Sequence, residues 1–198
     1  MSTLEKSRRS ISQRVTQPVV RLIARTPLTP NTITWLGFCI TLGATALIVT
    51  EHFLIAGIVV LVAGFFDMLD GALARLTQRV SRFGSILDSS LDRLSDAALL
   101  LGLLAVYAQG QQVAESVLVG VTLLGSIMVS YTRARMEGMG IECKAGLFTR
   151  PERVIVMALG LLLSHFDYAL VVALSIIAFF SYITVVERLV YAWRQMKE

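Results

Sequence analysis

Five of the fourteen acidic residues crowd into positions 67–96: Asp67, Asp70, Asp88, Asp92 and Asp96. They lie in or beside apolar runs, where an ionised carboxylate is costly and usually marks a site with a partner. Asp67, Asp70, Gly71 and Ala74 recur at i, i+3, i+4 and i+7, one face of a helix; Gly84, Asp88 and Asp92 recur every four residues, again one face. The short basic turn Arg75–Phe83 joins the two segments, so they run antiparallel. The spacing therefore predicts that Asp67, Asp70, Asp88 and Asp92 converge near one end of the pair. Four carboxylates so close repel one another unless counterions intervene, and ligation by oxygen alone suits Mg²⁺ or Mn²⁺ rather than zinc. Two such ions about 3.5–4 Å apart form a clamp for displacement at phosphorus. Gly71 and Gly84 leave room for close approach, and Arg75 offers a guanidinium fork that matches phosphate. Pairing with Arg75, Arg82 or Arg93 at a helix end is the plainer account of any single aspartate, but it does not account for the whole register.

The elements that hold these residues belong in a membrane. The chain has 198 residues, 55% of them hydrophobic and 16% charged, with a mean hydropathy of +0.70; soluble domains carry about 25% charged residues. Nucleic-acid binding is not expected, because the 18 Lys and Arg residues are diluted among long apolar stretches. Six such stretches, Asn31–Thr50, Phe53–Leu73, Ser85–Ala108, Val113–Arg133, Arg153–Leu163 and Tyr168–Tyr191, read as helical spans. Ahead of them, Ile11, Val15, Val19, Val20, Leu22 and Ile23 recur at helical spacing among Arg and Gln, as in an amphipathic helix lying on the membrane surface. The expected fold is all-α: residues 1–28 form a juxtamembrane amphipathic helix and 29–198 a six-helix transmembrane catalytic domain. Threaded through six spans, all 18 basic residues fall on one side, which is cytoplasmic by the positive-inside rule. Both termini and the acid cluster then face the cytoplasm.

The register Asp67-x2-Asp70-Gly71-x2-Ala74-Arg75-x8-Gly84-x3-Asp88-x3-Asp92 resembles the signature of the CDP-alcohol phosphotransferase family, with every position of the signature kept over 26 residues. That family moves a phosphatidyl-type group from a CDP-linked lipid, such as CDP-diacylglycerol or CDP-archaeol, to an acceptor alcohol and releases CMP. The resemblance implies that Asp67, Asp70 and Asp88 hold two Mg²⁺ ions, and that Asp92 is both a ligand and the general base. It implies further that Gly71, Arg75, Ser81 and Gly84 contact the CDP-lipid, with Pro30, Asn31, Thr32 and Ile33 at the start of the first span. Membrane enzymes similar to it are commonly homodimers.

A second polar constellation concerns the acceptor. Ser130-Tyr131-Thr132-Arg133-Ala134-Arg135-x-Glu137, followed by Arg150-Pro151-Glu152-Arg153, resembles the branch that makes phosphatidylinositol phosphate or its archaeal ether-lipid counterpart. That resemblance implies inositol 1-phosphate as acceptor, with Arg133, Arg153 and Arg188 on its phosphate. From the residues alone, these arginines sit at the membrane edges of spans, where guanidiniums suit a phosphate; anchoring to anionic headgroups is the alternative. Arg133 stands where some members of the branch carry Lys, which keeps the charge and changes the fork. Glu137 and Glu152 have the choice of pairing with nearby arginines. Glycerol phosphate or a neutral alcohol remains an alternative acceptor. A cation-coupled transporter is the rival class, because intramembrane carboxylates also mark ion pathways. Against it, the acids cluster at one end of their helices and no internal repeat is present.

Overall fold

The computed structural model describes residues 18–24, 26–143, 145–146 and 148–196. Thr29 begins the first long helix: its hydroxyl accepts the Thr32 N–H at 3.3 Å and lies 2.8 Å from the Thr32 hydroxyl. Pro30 takes the first helical position, where its missing N–H costs nothing. Six helices follow in order: α1 Pro30–Val49, α2 Phe53–Leu76, α3 Arg82–Gln109, α4 Val113–Gly138, α5 Arg150–Leu162 and α6 Ala169–Gln195. No strand occurs among the described residues. Residues 18–23 are also helical. The remainder of the expected amphipathic segment, including Ile11 and Val15, lies outside the described residues.

Connections are short and end in compact turns. After α1, α2 and α3 the chain places Glu51, Gln78 and Gln111 at positive φ, near +54 to +60°. Each time, the next N–H bonds back five residues: His52 to Leu47 O, Arg79 to Ala74 O, and Gln112 to Tyr107 O. Left-handed closure of this kind uses up orphan carbonyls at a helix end. Thr149 starts α5, with the Glu152 carboxylate accepting both its N–H (2.7 Å) and its hydroxyl (2.6 Å), while Pro151 sits in the first turn.

Four helices, α1, α2, α4 and α6, are long and apolar enough to cross a membrane. Of the other two, α3 has 28 residues but carries Arg82, Asp88, Asp92, Arg93 and Asp96 between its start and residue 96. With 13 residues, α5 reaches only about 20 Å. The side-chain pattern is that of helices in lipid. On α6 the large apolar Val172, Phe179 and Val186 point outward, whereas Ala173, Ala178, Ser181 and Thr184 are buried. Met68, which reads as a core residue by its setting, is instead 41% exposed on the apolar exterior of α2.

The chain forms two compact units. One contains the described residues up to Ile40 together with Val62–Asp92; the other contains Thr41–Leu61 and Arg93 onward. In the first, Val20, Ile33, Leu69 and Leu73 form the core. In the second, α6 packs against both α4 and α5, around a core that includes Ile48, Val60, Leu103, Val119, Leu161 and Leu174. Small residues allow the close approaches: a Cβ on Gly160 would stand 2.5 Å from the Ala173 Cβ, and one on Gly125 would stand 3.3 Å from the Ser181 Cβ. Thr122 extends its hydroxyl across to Leu174 O at 3.3 Å. Gly160→Val is expected to destabilise the protein by about 1–3 kcal/mol through overpacking. Gly120→Ala, at a helical position with nothing within 4 Å, is expected to be neutral or stabilising. Thermal midpoints in detergent check the pair, and equal midpoints would contradict the close helix contact.

Candidate active site

The acid register lies on two consecutive helices, Asp67 and Asp70 on α2 and Asp88 and Asp92 on α3. Asp70 is 4% exposed, and its Oδ2 accepts the Thr34 hydroxyl of α1 at 2.7 Å. Its Oδ1 accepts the N–H of Gly71. The charged groups acting on Asp70 are Asp88 and Asp67, both acidic. Asp67 turns toward α1, where its Oδ1 lies 3.0 Å from the position a Cβ of Gly37 would occupy; any larger residue there would crowd the carboxylate. Asp88 and Asp92 are half-buried on α3.

The convergence expected of all four carboxylates is only partly realised. Asp67, Asp70 and Asp88 are electrostatic neighbours, yet among the described residues no three His, Cys, Asp or Glu side chains are drawn together as a ready metal cage. The reason is local: like charges repel, and Asp70 has turned both oxygens onto donors of its own unit. The donor chemistry nevertheless fits a hard divalent cation, because it consists of carboxylate oxygen and the charged neighbours of Asp70 add negative charge rather than cancel it.

Residues expected at the CDP-lipid divide by environment. Asn31 Oδ1 and Ser81 Oγ lie 3.0 and 2.9 Å from where a Cβ of Gly84 would be, so glycine here lets two polar side chains close against the start of α3. Ser81 also accepts the Gly84 N–H at 2.9 Å, capping α3. Arg75 folds back along α2, with Nη1 3.4 Å from the Cβ position of Gly71. Pro30 and Thr32 start α1 beside Asn31. Ile33 is different: at 1% exposure its side chain is core, packed with Val20, Leu69 and Leu73, so only its backbone is left for a ligand.

The three arginines expected at the acceptor phosphate lie in the second unit, where Arg133 and Arg153 both act electrostatically on Arg188. Arg133 is exposed and pairs with Glu137 one turn on, at 2.8 Å. Arg188 is 3% exposed; its Nε donates to Ala145 O at 3.1 Å and its Nη1 to Val129 O, tying the loop before α5 to α6. Phe148 N–H, donating to the Thr184 hydroxyl at 3.3 Å, adds a second tie. Arg153, 4% exposed, donates from Nη2 to Asp96 Oδ2 at 2.7 Å. Thr34 and Gly37 thus join the carboxylates of the first unit, and Asp96 joins the arginines of the second; none of these contacts was expected from spacing. The continuation of the i+4 series from Asp88 and Asp92 to Asp96 was the available signal for Asp96; Thr34 and Gly37 have none.

Four long apolar helices define a multi-pass membrane protein, and its α2 and α3 carry the acid register. The family model for CDP-alcohol phosphatidyltransferase matches residues 27–189, and the chain belongs to that family of transferases. It is 39% identical to the archaetidylinositol phosphate synthase of Pyrococcus horikoshii, over 94% of this chain and 97% of the relative. It is 36% identical to the phosphatidylinositol phosphate synthase of Mycobacterium tuberculosis, over 98% of this chain and 92% of the relative. Crystal structures of the M. tuberculosis enzyme are similar in fold. The one with CDP-DAG bound has a TM-score of 0.82 at 34% identity, covering 91% of this chain and 94% of that one. Another, in complex with manganese and citrate, has a TM-score of 0.80 at 34% identity, covering 90% and 88%.

Gly146 holds the loop before α5 in a shape few residues adopt: its φ is +123°, and a Cβ would stand 2.9 Å from Arg188 Nε and Nη2. Gly146→Ala is expected to destabilise the protein by about 1–3 kcal/mol and to expose the loop before α5 to protease. A thermal midpoint and a cleavage pattern equal to those of the parent protein would contradict this.

Proposed function

We propose that the protein transfers the phosphatidyl-type group of a CDP-linked lipid to inositol 1-phosphate, releasing CMP, at the cytoplasmic face of the cell membrane. The observation that carries the acceptor is Arg153: a buried guanidinium with two N–H positions, Nε and Nη1, that have no acceptor among the described residues, set among further arginines. A neutral alcohol makes no use of that arrangement. Relatives named for inositol phosphate products support the same acceptor.

In this reading all six helices span the bilayer, α5 being completed by the connection after Leu162. An amphipathic helix over residues 1–28 lies on the cytoplasmic surface, residues 29–198 form the catalytic domain, and two chains associate as a homodimer. Asp67, Asp70, Asp88 and Asp92 would hold two divalent ions, Mg²⁺ or Mn²⁺. When bound, such ions neutralise charge on a pyrophosphate and its leaving group. A manganese complex of the M. tuberculosis relative supports a divalent metal here. Asn31, Ser81 and Gly84, with Pro30, Thr32, Gly71, Arg75 and the backbone of Ile33, receive the CDP portion.

Asp92 takes the proton from the acceptor hydroxyl. The freed oxygen bonds to the lipid-side phosphorus of the pyrophosphate while the bond from that phosphorus to the bridging oxygen breaks, and the electron pair departs with CMP. Arg133, Arg153 and Arg188 hold the acceptor's own phosphate by charge-assisted hydrogen bonds, which fixes the hydroxyl for attack.

CMP release from CDP-lipid, measured with inositol 1-phosphate, glycerol phosphate, inositol and serine in turn, tests the acceptor: inositol 1-phosphate should be used best. Another acceptor working while it fails would overturn the assignment. Asp92→Asn should lower kcat by about 10²–10⁴-fold and leave CDP-lipid binding in place; near-normal turnover would rule out Asp92 as the base.

A further inference from the structure

Asp96 continues the i+4 series of Asp88 and Asp92 along α3, yet its carboxylate is committed to cations. Oδ2 accepts Arg153 Nη2 at 2.7 Å, and Oδ1 lies 3.5 Å from Arg150 Nε. Arg153 is held from this side only, because its Nε and Nη1 are buried with no acceptor among the described residues. Beside the pair lies a cavity of about 20 Å³, with Asp96, Ser126 and Arg153 as its polar walls and Leu99, Met157 and Ile177 among its apolar ones. That volume is room for one water molecule. A single strong, charge-assisted bond to Asp96 sets the orientation of the Arg153 guanidinium.

We propose that Asp96 is a positioning residue: by clamping Nη2 of Arg153 it directs the remaining N–H groups of that guanidinium at the phosphate of the acceptor. This inference rests on the assignment of inositol 1-phosphate to the arginine cluster. Asp96 touches neither the nucleotide nor the reacting hydroxyl; it acts through Arg153, with Arg150 sharing its charge. A guanidinium already oriented forfeits less side-chain entropy when the phosphate arrives, so the effect falls on acceptor binding rather than on the chemical step.

The test uses the full chain in detergent or liposomes, with Asp96→Asn and Asp96→Glu compared to wild type. Asp96→Asn keeps an acceptor atom but loses the charge. It should raise KM for inositol 1-phosphate by about ten- to a hundredfold and weaken competitive inhibition by inorganic phosphate by a similar factor. KM for the CDP-lipid should stay unchanged. Asp96→Glu, one methylene longer, keeps the charge but displaces Arg153, and should raise the acceptor KM to an intermediate value. An acceptor KM equal to wild type, or a parallel rise in the CDP-lipid KM, would overturn the role. If Asp96→Asn does not fold, Asp96→Glu decides alone: an unchanged acceptor KM overturns the proposal. A wild-type enzyme that uses inositol and ignores both inositol 1-phosphate and inorganic phosphate would instead sink the acceptor assignment itself.

Discussion

A charge set into an apolar helix has to find its partner inside the protein or in a ligand, since hydrocarbon offers none. Among the described residues, three charged side chains are almost completely withdrawn from solvent: Asp70 and Arg153 at 4% exposure and Arg188 at 3%. Each is met differently. Asp70 receives a threonine hydroxyl and a backbone N–H. Arg188 spends its donors on backbone carbonyls. Arg153 meets a carboxylate on one side and no protein acceptor at two remaining nitrogens. Burying a polar group unpaired is costly, so the incompletely satisfied group is where ligand binding returns the most free energy.

The same constraint explains the helix faces. Bulky apolar side chains lie outside, where lipid receives them, while glycine, alanine, serine and threonine lie inside, where they permit close backbone approach and short hydroxyl bonds. Gly37 beside Asp67 and Gly160 against Ala173 are two uses of that economy. The first keeps space beside a carboxylate and the second lets two helices touch. Transferase chemistry needs both, because carboxylates and guanidiniums can be aimed only from helices that cannot slip.

Much of the fold could be read from residue order. The six helices begin and end within a few residues of the apolar stretches. The caps at Thr29 and Thr149 stand where Thr precedes Pro or a Thr-x-x-Glu run, because capping is settled by neighbours three residues apart. The acid register was legible for a similar reason, since spacing along one helix sets which side chains share a face. Less was legible at the site. Ile33 adjoins Asn31 in sequence but faces the core. Asp70 takes a hydroxyl from Thr34, which no spacing announced, and Asp96 meets arginines rather than the acids whose spacing it continues.

What the residue order determined by itself is therefore one-dimensional: apolar lengths, faces, caps, and a signature specific enough to imply a family. Only the tertiary structure decided which charge answers which. Thr34 and Asp70 are 36 positions apart, Arg153 and Asp96 are 57 apart, and Arg188 reaches back 43 positions to Ala145. Periodicity fixes the direction of a side chain about its own helix axis. It carries no information on which neighbouring helix lies opposite or how far away, and hydrogen bonds and ion pairs form or fail over differences of about 1 Å.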